Sequence, residues 1–145
     1  MWVALGVGAC GPDKSSAADT GEGDFLATCL EHFGPEGSPL VAEVCECRVA
    51  NGSATDVASC IEKMNQGGSD ETACLCDYYA DHPDGQAYIG CLITSDEMAA
   101  DCVAAAACDE DEGDACFNML GEDLEACPPL SEATREGVAA ACPSG

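Results

Sequence analysis

Apolar residues along this chain recur three and four positions apart over short stretches, each closed by glycine, proline or a small polar residue. Phe25, Leu26, Cys29, Leu30 and Phe33 fall on one face of a helix that Asp24 opens and Gly34-Pro35 ends. Ser38-Pro39 offers an N-cap followed by proline at the first helical position, and Asn51-Gly52 supplies the stop, so the next helix is expected over 39–50. Val57, Cys60, Ile61 and Met64 carry the i, i+3, i+4, i+7 spacing ahead of Gly67-Gly68. Ser69-Asp70 begins a further helix that ends by His82, because the ring of Pro83 disfavours helical backbone at the residue before it. Tyr88, Cys91 and Leu92 repeat the apolar spacing, and Thr94-x-x-Glu97 reads as a capping box opening an alanine-rich helix to about Cys108. A shorter helix from about Asp114 to Leu120 and a last one from Ser131 to Ala141 complete eight. No stretch holds the two-residue alternation of a strand for more than a few positions, so the pattern predicts an all-α domain.

The same segments repeat. Cys29, Cys60 and Cys91 stand 31 residues apart in matching contexts, ATCL, ASCI and IGCL, and DACF at Cys116 has the same form of small residue, cysteine, large apolar residue. Cys45-x-Cys47 and Cys74-x-Cys76 are also in step, 29 residues apart. The repeat predicts one small domain over residues 24–145, its eight short helices arranged as four helical hairpins.

Cysteine changes this picture most. Thirteen cysteines among 145 residues is the composition of a disulfide scaffold from an oxidising compartment. Large apolar side chains are too few for burial alone to stabilise so small a domain. Cys29, Cys45, Cys47, Cys60, Cys74, Cys76, Cys91, Cys102, Cys108, Cys116, Cys127 and Cys142 are therefore expected to pair with one another. Two steps along a helix turn about 200°, so the members of each Cys-x-Cys point to opposite sides and reach two different neighbouring helices. In a loop the same spacing would chelate a soft ion such as zinc or copper, which is the alternative reading. Linking neighbours gives Cys29 with Cys45, Cys47 with Cys60, Cys76 with Cys91 and Cys108 with Cys116. Cys91-x10-Cys102 and Cys116-x10-Cys127 resemble the twin-cysteine helical hairpins of mitochondrial intermembrane proteins, and that resemblance implies instead Cys91 with Cys127 and Cys102 with Cys116. No Cys-x-x-Cys occurs, which removes the thioredoxin-type motif and c-type haem attachment.

The thirteenth cysteine stands apart. Trp2 to Ala9 is apolar and far shorter than the roughly twenty residues a membrane-spanning helix needs. Its last step, Val7-Gly8-Ala9-Cys10, resembles the lipobox of bacterial lipoproteins. The resemblance implies that residues 1–9 are the remnant of a signal peptide cut before Cys10, which then becomes the acylated N-terminus. Gly11 to Gly23 contains no large apolar residue and has the composition of a flexible tether, so residues 10–23 are expected to hold the domain off a membrane surface.

Charge narrows the partners. Twenty-eight acids against Lys14, Arg48, Lys63 and Arg135 give a formal charge of −24, which repels nucleic acid and anionic headgroups. No nucleic-acid partner is expected, and the membrane is reached through the lipid alone. The run Asp109-Glu110-Asp111-Glu112-Gly113-Asp114 offers Asp109, Asp111 and Asp114 as oxygen ligands for weak calcium binding. Its glycine comes one place early and no glutamate follows at position 12, so it is not an EF-hand, and a solvated acidic turn is the simpler reading. His32 and His82 are read as surface or turn histidines rather than catalysts. With no nucleophile, phosphate-loop or metalloprotease motif, the chain reads as a non-enzymatic cell-envelope lipoprotein that binds an unknown protein or cell-surface partner or serves a structural role. Metal handling, by the Cys-x-Cys pairs or the acidic loop, and a secreted enzyme without a recognisable motif are the alternatives. No cofactor beyond calcium is implied.

Overall fold

The computed structural model describes residues 22–65 and 69–143. The expectations placed on residues 1–9, on Cys10 and on most of the tether lie outside the described residues. The fold is all-α, small and disulfide-rich, with seven helices among those residues: α1 (Glu22–Phe33), α2 (Pro39–Ala50), α3 (Val57–Met64), α4 (Ser69–Ala80), α5 (Pro83–Ala106), α6 (Glu110–Glu125) and α7 (Glu132–Ala141).

Local chemistry sets most boundaries. Ser38 Oγ accepts the Val41 amide hydrogen at 3.4 Å and Pro39 follows at the first helical position, as the sequence predicts for α2. Asp56 caps α3 through the Ser59 amide at 2.8 Å, and Ser131 caps α7 through the Thr134 amide at 3.2 Å. Pro83 ends one helical run and begins the next, standing at the start of α5.

Three boundaries differ from expectation. Asp24 does not open α1 but lies in its first turn, since the helix already begins at Glu22. The apolar turn at Tyr88–Leu92 and the alanine-rich stretch after Thr94 are one continuous helix of 24 residues, about 36 Å long, which reduces eight helices to seven. Thr94 is no cap there: its hydroxyl donates to the Gly90 carbonyl one turn back at 3.0 Å, a bond available in mid-helix. At the other end, α6 starts at Glu110 instead of Asp114 and runs past Gly121 to Glu125. Asp109 Oδ1 takes the Glu112 amide at 3.0 Å, and Glu110, Asp111 and Glu112 occupy the first turn, where the helix dipole favours negative charge.

The helices do not form a row of sequential hairpins. α5 is the spine, with α6 and α2 packed most extensively along it and α4 beside them; α1 lies on α4, α3 on α2, and α7 on α4. Each half of α5 has its own small core. Toward its start, Phe25 and Cys29 of α1 meet Cys76, Tyr79 and Ala80 of α4 and Ile89 of α5. Toward its end, Leu40 of α2 meets Ala99, Ala100 and Val103 of α5 and Cys116 of α6, where alanine lets the helices approach closely. The largest side chains that are wholly buried are cysteines, Cys29, Cys45, Cys76 and Cys116, so disulfides form the centre of this core as well as bridging it.

Two polar nodes brace the helices, the first between the two cores and the second at the start of α5. His32 of α1 is 7 % exposed, with Nε2 at 3.2 Å from Asp96 Oδ2 of α5, outside good hydrogen-bond geometry; the other carboxylate oxygen accepts the Ser38 hydroxyl at 3.0 Å. Asp84, in the first turn of α5, accepts the Ser131 amide at 2.9 Å and the Thr134 hydroxyl at 3.0 Å, which fastens the start of α7.

Candidate functional site

Every cysteine from Cys29 to Cys142 is in a disulfide: Cys29–Cys76, Cys45–Cys60, Cys47–Cys108, Cys74–Cys142, Cys91–Cys127 and Cys102–Cys116. The divergence read from Cys-x-Cys on a helix holds. Cys45 turns inward to α3 while Cys47 reaches the turn after α5, and Cys76 reaches α1 while Cys74 reaches the end of α7. The neighbour pairings Cys29 with Cys45, Cys47 with Cys60, Cys76 with Cys91 and Cys108 with Cys116 are corrected. They assume that helices adjacent in sequence pack together, whereas α1 packs on α4 and the end of α5 meets α2. The two pairs implied by the twin-cysteine resemblance are both present, joining α5 and α6 at either end.

The acidic run is not a loop. Asp109 is engaged as the cap of α6, and the helix carries Asp111 and Asp114 around from it, all three exposed. Among the described residues no three His, Cys, Asp or Glu side chains are grouped to hold a metal ion. The histidines are both tied into the fold. His32 is buried in the Asp96 node rather than on the surface, since Phe33 packs edge-on against its ring at 4.8 Å. His82 stacks on Tyr78 at 4.2 Å with Nδ1 at 2.7 Å from the Tyr78 carbonyl.

What sequence reading missed lies between α2 and α3. Asn51 Oδ1 accepts both the amide and the hydroxyl of Ser53, at 3.1 and 2.7 Å. Gly52 takes the left-handed φ of 78° that glycine alone adopts without cost, so the chain folds back over the end of α2. The Ser53 and Ala54 amides then close on the Arg48 carbonyl at 2.8 and 3.0 Å. This turn and the two helices enclose an open depression of about 240 Å³, lined by Arg48, Gly52, Ser53, Thr55, Ser59 and Lys63 among others, none of them acidic. In a chain with seven acids for each Lys or Arg, a lining with two cations and no acid runs against the overall composition.

Two cations and no carboxylate line the depression. Among the described residues the one ionic contact within 4.0 Å is His32 with Asp96, so neither the Arg48 guanidinium nor the Lys63 ammonium is paired. Asp56 lies near, but hydrogen bonds from the Ser59 amide and hydroxyl, with the Lys63 charge behind them, hold its carboxyl below the usual value and engage both oxygens. A sequence signal for this site exists: two of the four cations each stand three residues beyond a cysteine of one bridged pair, Cys45 and Cys60. Only the bridge shows that they belong together. No helix among the described residues is long and apolar enough to cross a membrane. Comparison with protein-family models, with curated proteins and with solved structures finds no match to this chain.

Proposed function

We propose that this chain is an exported, non-catalytic binding or structural module of a bacterial cell envelope, anchored through a lipid on Cys10. One observation carries the reading: all twelve cysteines among the described residues are paired, so Cys10, at the end of Val7-Gly8-Ala9, is the one left without a disulfide role. Six disulfides place the chain in an oxidising environment. Sulfur held in disulfides offers no thiolate to a soft metal ion, which favours a scaffold over metal handling. The engagement of both histidines in internal contacts favours binding over catalysis.

Mass spectrometry of the exported chain tests this, before and after reduction with thiol alkylation. The expected oxidised mass is lower than the reduced mass by two hydrogens for each of six bridges. Free thiols with the added mass of zinc or copper would overturn the scaffold reading in favour of metal handling. For the anchor, a fatty-acid probe supplied to growing cells should label the protein and fail to label Cys10→Ser; absence of label on the unaltered chain refutes lipidation.

A further inference from the structure

We infer that the depression between α2 and α3 is a binding site for a phosphoryl oxyanion, held by the Arg48 guanidinium, the Lys63 ammonium and the Thr55 hydroxyl. The inference names a ligand class for the module proposed above and rests on that reading only in needing the Cys45–Cys60 bridge closed.

The donor set carries the assignment. Arg48 presents a planar fork suited to two oxygens of one anion, and Lys63 supplies a compact positive charge that can take a third. Hydroxyls at Ser53 and Ser59 are already bonded to Asn51 and Asp56, whereas the Thr55 hydroxyl has no partner among the described residues, and Thr55 lines the same space. No carboxylate lines the depression, and Asp56, the one that feels the Lys63 charge, has both oxygens bonded to Ser59. A volume of about 240 Å³ is below the usual range for drug-sized ligands and suits one small anionic group with the remainder of a molecule outside the mouth. The frame is rigid: the Cys45–Cys60 bridge joins the two helices one turn before the cations, and the Asn51 turn fixes the loop between them.

The net charge of −24 argues against any anion at long range, and the answer is distance. At physiological ionic strength the screening length is about 8 Å, so the summed repulsion of distant carboxylates fades while contacts inside the depression persist. The site therefore discriminates by direct contact, with no steering of ligand toward it.

The test is amide NMR on the isotope-labelled, oxidised full chain at about 0.15 M salt, titrated with inorganic phosphate and separately with a phosphomonoester such as glycerol 3-phosphate, chloride being adjusted to hold ionic strength. Saturable shifts confined to Arg48, Gly52 to Thr55, Ser59 and Lys63 are expected. Each of Arg48→Gln and Lys63→Gln, both exposed positions that leave the core untouched, should weaken binding by about tenfold, the scale of one charge-assisted hydrogen bond. Arg48→Lys should bind more weakly than the unaltered chain because it keeps charge and loses the fork. Tighter binding of the ester assigns the site to a phosphoryl group carried on a larger molecule; equal or weaker binding assigns it to the free ion. Shifts that fail to saturate, that spread over the surface, or that survive in both glutamine variants overturn the inference. If mass spectrometry confirms six bridges and phosphate still does not bind, the site falls and the module reading stands.

Discussion

Removing the Cys29–Cys76 bridge is the sharpest test of how this core is stabilised. The bridge spans 47 residues, but the Cys45–Cys60 bridge inside it short-circuits 15 of them and leaves a path of about 32. Loop closure of that length restricts the unfolded chain by about 3.7 kcal/mol at 25 °C, against about 4 kcal/mol without the short cut. Both sulfurs lie in the core, each cysteine 1 % exposed. Taking each sulfur as comparable to a buried methylene adds about 1.5 kcal/mol, for a total near 5 kcal/mol in Cys29→Ala/Cys76→Ala. Cys47–Cys108 provides the control. It spans 61 residues, still about 50 with its short cut, so chain entropy alone makes it worth about 4 kcal/mol, slightly more than its rival. Cys108 is exposed, however, and little packing is lost with it. The expected order is thus set by burial: the Cys29/Cys76 variant is the less stable by about 1 kcal/mol. Guanidinium unfolding of both oxidised variants, followed by far-ultraviolet circular dichroism, measures the difference. If the Cys47→Ala/Cys108→Ala chain unfolds first, loop entropy dominates and the sulfurs are not acting as core.

Asp96→Ala removes the acceptor of the buried Ser38 hydroxyl and of the Leu40 amide, and should destabilise by about 2 kcal/mol in the same unfolding assay, with Asp96→Asn milder because it still accepts from Ser38. The Ser131 amide and Thr134 hydroxyl bonded to Asp84 lower its carboxyl from 3.8 to about 2. A depressed folded value stabilises fully above the unfolded one, so the attachment of α7 should be intact above about pH 4 and loosen as pH falls toward 2, read from the Thr134 amide signal. Asp84→Asn should abolish that pH step. Gly85→Ala brings a methyl group against the Tyr79 side chain, with its nearest ring carbon at 2.5 Å and Cβ at 3.0 Å, and should destabilise by about 1 kcal/mol despite alanine's better helix propensity. At Gly121 nothing lies within 4 Å, so Gly121→Ala should stabilise by about 0.8 kcal/mol; equal effects at the two positions would contradict the packing of α5 on Tyr79.

Local chemistry was legible in the sequence and long-range partnership was not. Ser38 and Ser131 cap helices because a hydroxyl one position before a helix answers a nearby amide whatever the rest of the chain does. The divergence of Cys45 from Cys47 follows from helical pitch alone. Thr94 and Glu97 misled because a capping-box spelling also fits mid-helix positions, where the threonine hydroxyl is satisfied by the carbonyl one turn back. The acidic run misled in the other direction: carboxylates that read as a solvated turn, or at most a weak calcium loop, instead meet the positive end of the α6 dipole. Which helix lies on which depends on pairs such as Phe25 with Ile89 that are far apart in sequence and carry no spacing signal. The same holds for Arg48 and Lys63, whose shared depression exists only once the chain between them has turned back.

The order of the six bridges along the chain has a consequence for survival among proteases. Every peptide bond between Cys29 and Cys142 lies inside at least one of the spans Cys29–Cys76, Cys47–Cys108 and Cys74–Cys142, which overlap end to end. A single cut anywhere in that stretch leaves both pieces covalently joined. The interleaving goes further: no run of consecutive cysteines shorter than the whole set contains only its own partners, since Cys108 carries the Cys102–Cys116 hairpin out to Cys47 and Cys47 carries the Cys45–Cys60 hairpin out to Cys108. No segment bearing a cysteine can be excised between two cuts. Outside the cell, where nicks accumulate and thiol reductants are scarce, a chain knotted together in this way keeps its shape after its backbone has been broken, and degradation has to wait for reduction.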